Sequence, residues 1–321
     1  MLRMTLLSTV SFSLAMLAGT AHAQTYPSKP IRMVAPTAGG AIDFYARALA
    51  PSLTTILKQQ VIVDNRGGGS GVIAVETVIR ANPDGHTLLI YGPPAWMLPL
   101  LRKSVRYDVI RDLVPVVLLN HSGNLLVVHP SVPAKSVKEL IDLAKAKPGS
   151  LLDAGSDTGS SAHLAAELFK AMAGVNIVRV PYKGVGAGIS ALIAGEVQIM
   201  IPAIAAAMAH VKSGRLRALG VSFAQPSKLA PGIPTIASSG VPGYVSQTTG
   251  AVFAPMGTPP AIINKLNQEF NRALQMTEVS EKFLGAGAEP AGGPPQVAAA
   301  AVKEEIARWG KLIRELGIQE E

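Results

Sequence analysis

The sequence has 321 residues, with 29 Lys or Arg against 21 Asp or Glu, a formal net charge of +8 and no cysteine. Disulfides, thiolate catalysis and cysteine metal sites are therefore excluded. The basic residues are scattered and aromatics make up only 5%, which argues against a nucleic-acid partner.

Met1-Leu2-Arg3 leads into an apolar run from Met4 to about Ala18, then Ala21-His22-Ala23. One early positive charge, a short apolar core and an A-x-A site predict a signal peptide over residues 1–23, cleaved after Ala23. The run is short for a membrane span. The remaining length, about 300 residues, is where one core gives way to two domains.

The mature chain alternates strand-like and helix-like segments. Ile31, Met33 and Val34 form a short buried strand, and Ile42, Ala46, Leu49, Leu53 and Leu57 recur at helical spacing. A strand over Gln60–Asp64 precedes a glycine-rich turn and a helix carrying Ile73, Val75, Val78 and Ile79. Thr87–Tyr91 is a strand, with Gly92-Pro93-Pro94-Ala95 as the loop at its end. Leu125–Val128 is another, and Ser136 with Glu139 forms a capping box. Leu151–Ala154, Asn176–Val180, Val197–Ile201 and Leu216–Val221 read as further strands between helical runs. Thr258 is expected as the N-cap of a helix to about Leu274, followed by helices near Glu278–Leu284 and Pro295–Leu316. Such β–α alternation predicts α/β layers with largely parallel sheets.

Three strand-end loops share one chemistry. The first is Thr37-Ala38-Gly39-Gly40-Ala41, the second runs from Gly155 through Ser156, Thr158, Gly159 and Ser160 to His163, and the third holds Tyr182 and Lys183. Each leads from a strand into a helix, where free backbone N–H groups and the helix dipole favour an anion. Ligands of open α/β sheets bind beyond the carboxyl ends of the strands. Two such loops in different halves of the chain predict one ligand held in a cleft between two domains. Pro93 is a candidate wall of that cleft, and Asp43 is read as a structural carboxylate in the first helical turn.

Several motifs together resemble a known family. They are Tyr26-Pro27-Ser28-Lys29-Pro30-Ile31-Arg32, Gly39-Gly40-Ala41-Ile42-Asp43, Val63-Asp64-Asn65-Arg66 and Pro83-Asp84-Gly85-His86-Thr87-Leu88-Leu89. Gly159-Ser160-Ser161-Ala162-His163-Leu164, Val180-Pro181-Tyr182-Lys183-Gly184, Gly287-Ala288-Glu289-Pro290 and Ile306-Ala307-Arg308-Trp309 follow in order. The chain resembles the Bug family, extracytoplasmic solute receptors of tripartite tricarboxylate transporters. The resemblance implies a type II periplasmic-binding-protein fold, with two α/β domains around a ligand cleft. It implies a discontinuous first domain over residues 24–121 plus 247–321, a second over 122–246, and a hinge near Leu118–Val128 and Gln247–Phe253. It further implies a small carboxylate ligand and membrane permease subunits as partners. The signal peptide makes the protein periplasmic, a monomer is expected, and the histidines show no metal-ligand spacing, so no metal or cofactor is expected. Many relatives carry an aromatic residue after the proline of the first loop and Thr before its aspartate; here those places hold Thr37 and Ile42.

Two rival readings are weaker. Gly69-Ser70-Gly71-Val72-Ile73-Ala74 fits G-x-G-x-x-A, but follows a strand that is not the first and lacks a clear ribose-binding acid. A secreted hydrolase lacks a G-x-S-x-G elbow, and Ser160 or Ser161 so close to His163 on one helical turn is poor triad geometry.

Overall fold

The computed structural model describes residues 26–36, 38–155 and 160–316. The expected signal peptide and the candidate residues Thr37, Ser156, Thr158 and Gly159 lie outside the described residues.

Two mixed sheets organise the chain. From edge to edge, the first runs Glu289–Pro290 (β11), Leu113–Gly123 (β4), Gln247–Pro255 (β10), Thr87–Tyr91 (β3), Ile31–Ala35 (β1) and Val61–Asn65 (β2). Alternation along these strands decides what covers each face. Ile31, Met33, Leu88 and Ile90 pack with Leu49 and Leu53 of α1 (Ala41–Leu57) and with Leu266 and Phe270 of α9 (Pro260–Leu274). Val34, Leu89 and Phe253 point the other way. They meet Val75 and Val78 of α2 (Val72–Ile79), Trp96 of α3 (Pro94–Leu101) and Trp309 of α11 (Pro295–Leu316). Leu49 and Leu53 are fully buried, each stabilising the lobe by about 2 kcal/mol through removal from water.

The second sheet has the order Val178–Pro181 (β7), Leu152–Gly155 (β6), Ile199–Met200 (β8), Leu125–Val128 (β5) and Arg217–Val221 (β9). Helices α5 (Val137–Ala146) and α6 (Ser161–Ala173) cover one face through Leu140, Ala165 and Phe169. Helices α7 (Gly184–Ala194) and α8 (Ile204–Lys212) cover the other through Leu192 and Ala207.

The expectation of largely parallel sheets needs correction. β1 is parallel to β2 and β3, and β6 to β7 and β8. β10, however, is antiparallel to β3 and β4, and β5 to β8 and β9. β5 and β10 are the strands by which the chain enters one sheet from the other. No helical crossover precedes them within their own sheet, so nothing forces them parallel. Sheet membership changes between Gly123 and Leu125, and again before Gln247. Ser222 ties the two passages together: its hydroxyl accepts from the Asn124 N–H at 2.7 Å and donates to the Ser246 carbonyl. Asn124 also donates to the Ile201 carbonyl at 2.9 Å. All three polar residues are buried and hydrogen-bonded, so the crossing is fixed without exposing unpaired groups.

Three local readings also shift. The stretch read as a loop at Gly92–Ala95 already contains the start of α3 at Pro94, since proline is pre-set for a first helical turn. The third strand-end run begins at Val178 rather than Asn176. Thr258 does not cap α9; its hydroxyl donates to the Pro255 carbonyl at 2.8 Å, and Pro259 takes the cap position.

Candidate functional site

The first loop leaves β1 at Ala35 and enters α1 at Ala41. Gly39 has φ +77°, and nothing lies within 4 Å of where a side chain would begin, so this turn faces open space. Gly40 is the N-cap without a capping side chain. Asp43, 4% exposed, takes over that work from inside the helix. Its Oδ2 accepts from the Gly39 N–H at 2.9 Å and from Arg47 Nε at 3.0 Å, and its Oδ1 accepts from Asn65 Nδ2 at 2.9 Å. Burial pushes this carboxyl up, but the bonds from Arg47, Gly39 and Asn65 outweigh it and hold the group below the usual carboxylate range. The Gly39 N–H is therefore engaged internally. Helix geometry leaves the N–H groups of Ala41 and Ile42 without an intrahelical acceptor.

The second loop is built differently. The Ser160 hydroxyl caps α6 by accepting from the His163 N–H at 3.3 Å. His163 is 7% exposed, and its Nε2 lies 3.8 Å from Glu167 Oε1, which accepts from Lys170 Nζ at 2.5 Å. Burial, reinforced by the Arg179 charge, lowers the His163 pKa, so its ring is neutral at pH 7. Beneath α6 lies Asp153 of β6, 1% exposed, with no hydrogen-bond partner on either carboxyl oxygen among the described residues. Burial pushes its pKa up to about 7, against the pull of Lys170. Asp153 is in register with Arg179 of β7, whose side chain lies over Gly155. Sequence reasoning named Lys183 as the cation in these loops and missed Arg179. The signal was present in Val178-Arg179-Val180-Pro181, but only the β6–β7 register sets Arg179 on the face shared by Asp153 and Gly155.

In the third loop the Tyr182 N–H donates to the Gly155 carbonyl at 2.7 Å. Its ring is half-buried against the cluster under α7. Lys183 is exposed at the N-cap of α7.

A cavity of about 380 Å³ lies where the two lobes meet. From the first lobe it is lined by Pro93, Met97, Leu101 and Trp309, and from the second by Ser160, Ser161 and Leu164. Of the candidate residues it brings together Pro93 and Ser160. Ala38, Gly39, Gly40, Ala41, Gly155, His163, Tyr182 and Lys183 are not in its wall. The first loop nevertheless stands next to it: Ile42 approaches Gly92, beside the Thr249 carbonyl. Under this wall Glu305 accepts from Trp96 Nε1 at 3.0 Å and Thr249 Oγ1 at 2.6 Å, tying α11 to α3 and β10. Burial raises its pKa to about 7 despite these bonds. Another cavity, about 270 Å³, lies beside Asn271, Glu289 and Gly293, away from the three loops; Glu289 there accepts from Ser227 Oγ at 2.7 Å and from the Lys228 N–H at 2.6 Å.

The glycine-rich turn after β2 has a structural explanation. Gly71 has φ +90°, and the Tyr91 ring fills the place of its missing side chain while the Tyr91 hydroxyl donates to the Ser70 carbonyl at 2.7 Å. Among the described residues no three His, Asp or Glu side chains are grouped to hold a metal ion, and no helix is long and apolar enough to cross a membrane.

The family described as "Tripartite tricarboxylate transporter family receptor" matches residues 45–318. Protein BugT of Bordetella pertussis is 39% identical over 94% of this chain and 93% of its own length. Among solved structures, an R. palustris protein with adipate is 37% identical, with a TM-score of 0.69 over 92% of this chain and 99% of that one. A TctC solute binding protein from Polaromonas, without ligand, is 26% identical and reaches a TM-score of 0.83 over 91% of this chain and 100% of its own. Matched over nearly its full described length by the family and by relatives of the same size, the chain belongs to the tripartite tricarboxylate transporter receptors, the Bug solute-binding proteins.

Proposed function

We propose that the protein is a periplasmic receptor that closes two domains on a small carboxylate and presents it to a membrane permease, without chemical turnover. The observation that carries this reading is the cavity walled by Pro93 of one lobe and by Ser160 and Ser161 of the other. Both walls lie beyond the carboxyl ends of strands, where α/β folds place their ligands. The starts of α1 and α6 supply backbone N–H groups with the positive end of a helix dipole, which suits a carboxylate and requires no basic side chain. Ala38, Gly40, Ala41 and Ser160 are the groups assigned to it, with Thr37, Ser156, Thr158 and Gly159 completing the two loops. The R. palustris relative solved with adipate is a precedent for an acid ligand.

The domains of this reading are residues 24–121 plus 247–321, and 122–246, hinged where Asn124, Ser222 and Ser246 knit the crossing strands. Closure is proposed about this hinge. Ligand then shifts the population toward a closed state through contacts made to both lobes at once. The first loop stands outside the cavity wall in this structure and joins the ligand on closure.

Thermal-shift screening of the mature protein against mono-, di- and tricarboxylates, sugars and cations tests the proposal. Stabilisation by at least one carboxylate is expected. Stabilisation by sugars or cations alone overturns it, and turnover of an ester by pure protein replaces it with an enzyme.

A further inference from the structure

We propose that the cavity between the lobes selects a monocarboxylate with an uncharged apolar body, an aromatic or medium-chain acid rather than a polycarboxylate. This rests on the carboxylate-receptor reading and names the class of acid. Ser160 and Ser161 mark the polar end of the cavity, at the start of α6. Away from them the wall is mostly apolar, with Pro93, Met97, Leu164 and Trp309; Ser70, Ser246, Gln247 and Thr248 add uncharged polar groups, and no charged side chain lines it among the described residues. Arg102 is not in the wall; its guanidinium stands behind Ser70, donating to Ser70 Oγ at 3.4 Å.

A carboxylate at the helix start is satisfied by backbone N–H groups, whereas a second one carried into this wall loses its water and meets no cation. An uncharged ring or chain in the same place gains from leaving water. The room fits: about 380 Å³ exceeds the roughly 150 Å³ apolar cavity that is enough for benzene. The indole of Trp309 and the thioether of Met97 are surfaces on which a ring or chain packs well. Leu164 comes from the second lobe and packs against the Trp96–Trp309 cluster of the first. A ligand body seated there touches both lobes and favours their closure.

Calorimetric titration with two matched pairs decides the matter: benzoate against terephthalate, and hexanoate against adipate. The members of each pair differ by one added carboxylate. The monocarboxylate is expected to bind at least about tenfold more tightly in each pair, equivalent to about 1.4 kcal/mol. Leu101→Glu places a charge in the half-buried wall and is expected to weaken benzoate at least about tenfold. If that variant fails to fold, the wild-type pairs still decide. Equal or tighter binding of the dicarboxylates, or binding of malate or citrate alone, overturns the selectivity and leaves the receptor reading standing. Failure of every carboxylate overturns both.

Discussion

Two buried aspartates stand at the roots of the two main candidate loops, in opposite surroundings. Asp43 accepts hydrogen bonds on both oxygens from Gly39, Arg47 and Asn65, and its pKa is held down. Asp153 is buried more deeply, has no hydrogen-bond partner among the described residues, and its pKa is raised to about 7. The first loop is thus locked to its helix by an ionised carboxylate. The second rests on a cluster of Asp153, His163, Glu167, Lys170 and Arg179 whose charge state changes near neutral pH. One side of the cleft is tied down by hydrogen bonds to Asp43, and the other stores an unfavourable burial.

The largest expected effect breaks the side tied down by Asp43. Asp43→Ala leaves the Gly39 N–H, Arg47 and Asn65 without their shared acceptor, which costs about 3 kcal/mol; Arg47 is half-exposed and keeps its bond to Asn65 Oδ1, so no charge is left buried. Urea unfolding followed by circular dichroism reads that loss. A loss below about 1 kcal/mol removes Asp43 from its proposed role.

The next effect sharpens the contrast through pH. A carboxyl whose pKa is raised by folding is most stable relative to the unfolded chain below its unfolded pKa, and loses that advantage as pH climbs through the folded value. Asp153, at 3.8 unfolded and about 7 folded, therefore destabilises the protein progressively from about pH 4 to 8. Asp153→Asn is expected to raise stability at pH 8 by on the order of 3 kcal/mol and to change it little at pH 4. Glu305 titrates in the same direction and to a similar value, so the variant retains part of the slope. An Asn variant that is equally destabilised at both pH values contradicts the assignment.

Gly39→Asp has the smallest expected effect on stability, about 1 kcal/mol, because space is open and only the positive φ is strained. Its effect on ligand is larger: a carboxylate at the turn repels an anionic ligand and lowers affinity at least about tenfold. Retained affinity in calorimetry takes the first loop out of the site.

How far these features were legible depended on the range of the interactions that make them. Strands β1 and β3 and helices α1 and α11 follow from local periodicity, and Ser136 caps its helix as expected, its Oγ accepting from the Glu139 N–H at 3.2 Å, although the Glu139 carboxylate accepts from the Lys135 N–H at 2.8 Å rather than closing a capping box on Ser136. The long strands β4 and β10 were harder to read, since their apolar runs fit a buried strand or a buried helix equally. Their antiparallel pairing depends on residues more than a hundred positions apart. Arg179 was missed for the same reason: a half-buried arginine in a strand is ordinary until the register places it over Gly155. The two helix-start loops were visible because glycine and capping chemistry act within a few residues. The apolar cavity was not, because Pro93, Leu164 and Trp309 meet only in three dimensions.

The central claim is that a carboxylate draws the two lobes together. Small-angle X-ray scattering of the mature protein, alone and saturated with whichever carboxylate stabilises it most, tests this directly. The account predicts a smaller radius of gyration and a changed scattering profile with ligand; an identical profile in the two samples, despite saturation, contradicts it.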